Sequence, residues 1–419
     1  MNRLLSVIFT FIISSSVYGQ TAKSTVILLS IDGFSYDYLA TYKPKNILTF
    51  GKTGATAKLL PIYPSKTFPN HLSIITGVYP NKHGIIHNKF YHPNIGKKYH
   101  LGAGKQNSAW LTAQPLWSLA EKNNITSAVY FWPESQAIGQ GSLPSFNIPY
   151  NKTSTSKDHF DQIIEWLKLP QEQAPKFIIS YFSSVDDAGH KFGLGSPELA
   201  QAVANIDSMF GYFIERLKNE ISQSVNIILL SDHGMIQMDK NKKISFAKVF
   251  NQKILEFITE KSVVVAQSST QLFVYFNQQK LTKQQQNTIN QEIITRQKSH
   301  HNLYNVYQQT NYPQHWKLNN KLAITPDLII EAVPTVSFIN TKYTSTNLAT
   351  HGYDALNQSE LTAIFFAAGP DIVNINKGKA VAPFENIHIV PFMAQLLGIK
   401  QPKGIDGKKA VLAPLIKAN

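Results

Sequence analysis

The sequence predicts an α/β protein: a mostly parallel central sheet flanked by helices, with a small α+β cap inserted late in the chain. Short apolar runs at residues 25–30 (TVILLS), 127–132 (SAVYFW), 177–182 (FIISYF) and 225–230 (VNIILL) are continuous, not alternating. That is the pattern of strands buried on both faces of a parallel sheet. Amphipathic stretches such as 200–218 stand between them, and strands alternating with helices imply crossover connections. From about 237 to 347 the chain turns polar, rich in Gln and Lys, before 363–368 (AIFFAA) and 386–397 resume the core pattern.

The elements follow in chain order. Met1-Asn-Arg3 precedes an apolar run over 4–13 and the small-residue site Val17-Tyr-Gly19. This is the layout of a secretory signal over 1–19, with a run too short to span a bilayer. No Cys occurs in the 419 residues, so neither a lipid anchor nor disulfides are available, and an exported, soluble protein of the periplasm or medium is expected. The first strand leads into Asp32-Gly33. Pro69 suits a first helical turn, so 70–76 reads as a helix with Thr67 at its N-terminus. The strand at 177–182 leads toward Asp186, and that at 225–230 toward Asp232-His233. Within the cap, 262–266 and 271–276 read as strands and 281–297 (LTKQQQNTINQEIITRQ) as a solvated helix. The expected division is a catalytic core over 20–236 and 348–419 and a cap over 237–347.

Lys and Arg number 40 against 26 Asp and Glu, a formal charge of +14. Such a surface favours small anionic substrates. The Lys residues are dispersed and form no stripe with aromatics, which argues against sequence-specific nucleic-acid binding. Nothing in the composition implies a protein partner.

Chemistry concentrates in four phrases: Ser30-Ile-Asp-Gly33, Asp186-Asp-Ala-Gly-His190, Ser231-Asp-His-Gly234 and Thr350-His-Gly-Tyr-Asp354. Alone, SIDG or SDHG is only a strand followed by a turn. Together, at the carboxyl ends of sheet strands where ligands of open α/β sheets bind, they form a convergent set. Asp32, Asp186, Asp232, His190, His233 and His351 make a mixed oxygen and nitrogen donor set that suits Zn2+, with Mn2+ or Co2+ as substitutes. Asp354 could orient His351, and Asp187 is expected outside the ligand set. Three carboxylates and one alkoxide would balance two divalent cations, so such a centre could hold a Thr nucleophile ionised at neutral pH. Thr67 is the candidate: at a helix N-terminus it faces unpaired amides and a positive dipole end. Most Thr residues there are ordinary caps, and the ligand phrases single this one out. The other histidines, including His71 and His87, read as structural or solvated.

These phrases, with Lys66-Thr-Phe-Pro-Asn-His71, resemble the nucleotide pyrophosphatase/phosphodiesterase family of the alkaline phosphatase superfamily. The likeness extends through His83-Gly-Ile-Ile-His-Asn88, Phe131-Trp-Pro133, Ala368-Gly-Pro370 and Glu385-Asn-Ile-His388. It implies an alkaline phosphatase-like fold, with one zinc on Asp32, Thr67, Asp232 and His233 and the other on Asp186, His190 and His351. It makes Thr67 the covalent nucleophile and Asn88 a holder of a phosphate oxygen, a neutral amide that suits the single charge of a diester. It places Phe68 and Tyr181 around a nucleobase, with Trp132 beside the substrate. The segment Trp132-Pro-Glu-Ser-Gln136 departs from nucleotide-cleaving members, which often carry Gly after the Pro and an acidic residue at the position of Gln136. The reaction implied is hydrolysis of nucleotide phosphodiester or pyrophosphate bonds, releasing nucleoside 5′-monophosphates. The alternatives are a phosphomonoesterase, a phosphonate hydrolase, a choline-phospholipid phosphodiesterase or a non-catalytic binder of metal or nucleotide.

Overall fold

A computed structural model describes residues 24–139, 141–318, 324–340, 345–375 and 381–418. The expected signal segment, 1–19, lies outside them. Among the described residues no helix is long and apolar enough to cross a membrane. The main unit contributes strands β1 (Thr25–Ile31), β2 (Ala55–Leu60), β3 (Ser127–Tyr130), β4 (Phe146–Ile148), β5 (Phe177–Phe182) and β6 (Val225–Leu230). The later region adds β7 (Val263–Gln267), β8 (Gln271–Phe276), β9 (Tyr304–Gln308) and β10 (Leu328–Ala332). Then β11 (Ala363–Ala368) and β12 (Val381–Glu385) return to the first sheet. The helices used below are α1 (Thr67–Thr76), α2 (Ser156–Leu167), α3 (Ser184–Phe192), α4 (Pro197–Glu220), α5 (Lys283–Lys298) and α6 (Ile389–Leu397).

Eight strands form one sheet in the order β12-β2-β11-β6-β1-β5-β3-β4. All pairs are parallel except those of β11, which runs against both β2 and β6. The mostly parallel sheet is as expected. The reversed direction of β11 is invisible in its apolar run, which reads alike both ways. Strand alternation sends Val26 and Leu28 to a core shared with α1 and α6, and Ile27 and Leu29 to a second core shared with α2 and α4. Because helices cover both faces, the polar chemistry is left to the strand ends. The expected strand 127–132 stops at Tyr130, because Phe131 takes a left-handed φ of 50°.

Strands β7-β8-β10-β9 form a separate antiparallel sheet. Leu272, Val274, Leu328 and Ile330 pack with Ile289 and Ile293 of α5. From the opposite face, Phe273, Tyr275 and Ile329 join the core of the main unit. The expected helix 281–297 is α5, which begins where Thr282 accepts a hydrogen bond from the Gln285 N–H.

Candidate metal centre and nucleophile

Strands β6, β1 and β5 are adjacent, so their carboxyl ends deliver three carboxylates side by side. Asp32 directly follows β1, Asp232 lies just past β6, and Asp186 sits in the first turn of α3 beyond β5. His190 is one turn further along α3, with Nε2 3.3 Å from Asp186 Oδ2. The approach depends on Gly33: its φ is +68°, and a Cβ there would lie 2.9 Å from Asp186. His233 Nε2 lies 3.0 Å from Asp232 Oδ2 and 3.4 Å from Asp32 Oδ1, while His351 Nε2 is 3.6 Å from Asp186 Oδ1. The rings of His233 and His351 stack at 3.6 Å.

The donor set fits metal ions on two counts. Asp32 Oδ1, Asp186 Oδ1 and Asp232 Oδ2 are buried with no hydrogen-bond partner among the described residues, a costly arrangement unless a cation meets them. Each of the three imidazoles has its Nδ1 on a backbone carbonyl: His351 on Ser65 at 2.7 Å, His190 on Ala349 at 2.7 Å and His233 on Gly234 at 3.0 Å. Donating there leaves the Nε2 lone pair turned to the carboxylates, the usual orientation of a metal-ligating His. Two groups could hold an ion, Asp186–His190–His351 and Asp32–Asp186–His233. The second differs from the set implied by the resemblance, which has Asp232 in place of Asp186. The partnerless Asp232 Oδ2, 3.0 Å from His233, makes Asp232 as apt a ligand.

The electrostatics agree. Burial, then Asp232 and Asp186, push the Asp32 carboxyl well above its usual range, and burial raises Asp186 also. Burial opposes ionisation of Asp232 as well, and the carboxyl falls below the usual range only with positive charge on the His233 and His71 rings beside it, the place a metal ion would take. Burial, with His233 and Lys66 nearby, keeps His351 neutral.

Thr67 is 6% exposed and opens α1, with Lys66 as the extended residue before it. Its Oγ1 lies 3.4 Å from His233 Nε2. The Asn70 side chain ties the preceding loop to the helix, accepting from the Ile62 N–H at 2.8 Å and donating to the carbonyls of Pro64 and Lys66. Lys66 is buried, which lowers its ammonium to about 7, and it donates to the His351 carbonyl. Asn88, half-buried, accepts the Phe68 N–H through Oδ1 at 2.9 Å. Phe68 is half-buried beside this pair.

Three expectations need correction. Tyr181 is 8% exposed, its hydroxyl donates to Asp32 Oδ2 at 2.5 Å, and its ring meets His71 and Phe131 edge-on. Its hydroxyl braces a carboxylate, and the small part of the residue left exposed is too little for a stacked base. Trp132 is fully buried, its indole N–H donating to the His71 carbonyl at 3.1 Å, so it supports α1 from behind and presents no exposed surface. Asp354 accepts from His315 and Trp316, while the Ser65 carbonyl orients His351. Asp187, exposed, accepts from Ser183. Sequence reasoning missed Tyr150, 45% exposed, whose ring lies 4.6 Å from Phe131. It lines, with Tyr181, Ser183, Lys152 and Lys157, a cavity of about 600 Å³. A single aromatic in a loop carries no pattern that would have marked it. Glu134, the point of departure from members that carry Gly after the Pro, has a φ of 61°, a conformation that favours Gly. Its buried carboxylate accepts from the Tyr99 hydroxyl at 2.6 Å and from the N–H groups of Gly102 and Gly104 at 2.8 and 2.9 Å.

The family model for type I phosphodiesterase / nucleotide pyrophosphatase matches residues 26–354. The chain is 33% identical over 389 residues to an uncharacterized pyrophosphatase/phosphodiesterase of Schizosaccharomyces pombe, covering 90% of this chain and 77% of that one. It is 33% identical over 403 residues to ectonucleotide pyrophosphatase/phosphodiesterase family member 3 of Bos taurus, and 32% identical over the same length to a venom phosphodiesterase of Macrovipera lebetinus. Those alignments cover 94% of this chain but 44% and 45% of the relatives, so the chain spans under half the length of either. Murine ectonucleotide pyrophosphatase/phosphodiesterase 5 superposes with a TM-score of 0.82 at 23% identity, over 94% of this chain and 100% of that one, a likeness of fold. An inactive form of that murine protein has been solved in complex with AMP. The chain belongs to the type I phosphodiesterase / nucleotide pyrophosphatase family.

Proposed function

We propose that the protein hydrolyses nucleotide phosphodiester or pyrophosphate bonds through Thr67 and releases nucleoside 5′-monophosphates. The observation that carries this reading is the position of Thr67: a buried hydroxyl at the first residue of α1, 3.4 Å from His233, beside two sets of metal-competent side chains. Asp32, Thr67, Asp232 and His233 would hold one zinc ion, and Asp186, His190 and His351 the other. Bound there, the ions would supply Lewis acidity, lowering the Thr67 hydroxyl pKa and neutralising phosphate charge.

Thr67 Oγ attacks phosphorus, the P–O bond to the leaving group breaks with the Thr67 proton passing through solvent to the leaving oxygen, and a nucleotidyl-threonine forms that keeps the nucleoside on phosphorus. Water then cleaves that ester. The positive end of the α1 dipole faces the phosphate, with the Phe68 N–H held by Asn88 and Pro69 carrying none. Asn88, its Oδ1 occupied by the Phe68 N–H, turns its Nδ2 donors toward a phosphate oxygen. Phe68 and Tyr150 supply the aromatic surface for a base, the latter in place of Tyr181.

The test is turnover of thymidine 5′-monophosphate p-nitrophenyl ester beside p-nitrophenyl phosphate and p-nitrophenylphosphorylcholine. Preference for the nucleotide ester, abolished by a chelator and restored by zinc, supports the reading. Preference for either other substrate overturns the substrate assignment.

A further inference from the structure

One face of the antiparallel sheet ends in polar groups. On β8, Gln271, Phe273 and Tyr275 alternate onto the same side. Phe273 and Tyr275 fill the main core, and Gln271, 1% exposed, is the next side chain along that row. Glu331 of β10 stands opposite it in register. The Gln271 amide is engaged at both ends. Its Nε2 donates to the Gly352 carbonyl and, at 3.0 Å, to Glu331 Oε2. Its Oε1 accepts from the Thr270 hydroxyl at 2.5 Å and lies 3.3 Å from His87 Nε2. His87 Nδ1 accepts the Lys89 N–H at 2.9 Å, so the proton is on Nε2 and is donated to Gln271. The Tyr63 hydroxyl, 2.9 Å from Glu331 Oε2, fixes the carboxyl that fixes the amide.

Gly352 follows His351, and His87 precedes Asn88. One side chain outside the main sheet therefore grips both segments that carry those groups. Gly352 itself has a φ of 120° and packs so closely on Lys66 that a side chain would collide with it. The carbonyl of this residue is the group that Gln271 holds.

We propose that Gln271, held by Glu331, is a positioning residue for the active centre: it sets the His351–Gly352 and His87–Asn88 segments together, and makes the antiparallel sheet a buttress of the metal and phosphate sites. The inference rests on the roles given above to His351 and Asn88. Positioning of this kind is worth about 10- to 100-fold in metal affinity.

Zinc titration of chelator-stripped protein reads the effect without turnover. Gln271→Leu, apolar and of similar volume, should weaken one of two zinc-binding events about 10- to 100-fold and lower kcat. Gln271→Asn, whose amide falls one methylene short, provides the same test should the Leu variant not fold. Gln286→Leu is the control, because the Gln286 side chain is buried on α5 and, among the described residues, its amide donates to Gln278 and the Leu281 carbonyl. It should lower the melting temperature and leave zinc affinity unchanged. Undiminished zinc affinity in the folded Gln271 variants, or an equal loss in Gln286→Leu, overturns the inference alone. A parent protein that binds no zinc overturns the proposed function and this inference with it.

Discussion

The eight-stranded sheet and the four-stranded sheet both bury apolar strands, yet they place their chemistry differently. In the first, helices cover both faces, and Asp32, Asp186 and Asp232 emerge only where strands end. In the second, one face serves its own core and the other joins the main core, so Gln271 and Glu331 sit within a packed face. A polar group past a strand end is met by solvent or a ligand. One inside a face must be satisfied by its neighbours. The first arrangement therefore suits metal ligands, and the second suits residues that hold ligands in place.

Five measurements would break or sharpen that contrast. The largest effect belongs to the strand-end chemistry: Thr67→Ala should lower kcat by about 10³-fold or more with the melting temperature little changed. Comparable turnover in the variant would remove Thr67 from the reaction. Next, Ile293→Ala empties part of the core on the α5 face of the smaller sheet, where Ile293 is fully buried. A loss of about 2–5 kcal/mol in stability is expected, with kcat unchanged below the transition, and a parallel fall in kcat would show that this core also shapes the centre.

Smaller effects follow at the substrate. Phe68→Ala should cost about 1–3 kcal/mol of stacking, read as a rise in KM of roughly 5- to 150-fold, with Tyr150→Ala similar. Tyr181→Phe removes the hydroxyl on Asp32 and should act on kcat with KM nearly constant. The reverse split would restore Tyr181 as the base-stacking ring. The smallest effect concerns Glu331, which burial raises to about 7 despite hydrogen bonds from Gln271 and Tyr63 that lower it. A folded value above the unfolded one means the stabilisation is complete in acid, below the unfolded value, and is lost as pH rises through about 7. From pH 6 to 8 the parent should lose about 1 kcal/mol relative to Glu331→Gln, measured by denaturant unfolding. Equal slopes would mean that Glu331 is ionised throughout.

Much of the main unit was legible because its signals are local. An apolar run leading to an Asp, a Gly that lets the chain turn, and a Pro in a first helical turn each have a physical reason confined to a few residues. The rings were less legible. Trp132 and Tyr181 read as substrate contacts, but the left-handed turn at Phe131 and the Asp32 carboxylate draw them inward. Asp354, three residues past His351, was expected to orient that imidazole, yet a loop carbonyl from Ser65 arrives first. Gln271 had no signal at all, since a polar residue opening a strand is ordinary.

The sequence by itself determined the sheet class, the strand ends that carry the carboxylates, and the Thr at the head of α1, because hydrophobic period and turn chemistry act over a few residues. Only the tertiary structure decided the direction of β11, which aromatic ring stays open, and which carbonyls and amides hold the ligands in place. Those depend on groups far apart in the chain, such as Gln271 and Gly352 or Tyr181 and Asp32, whose meeting is settled by packing.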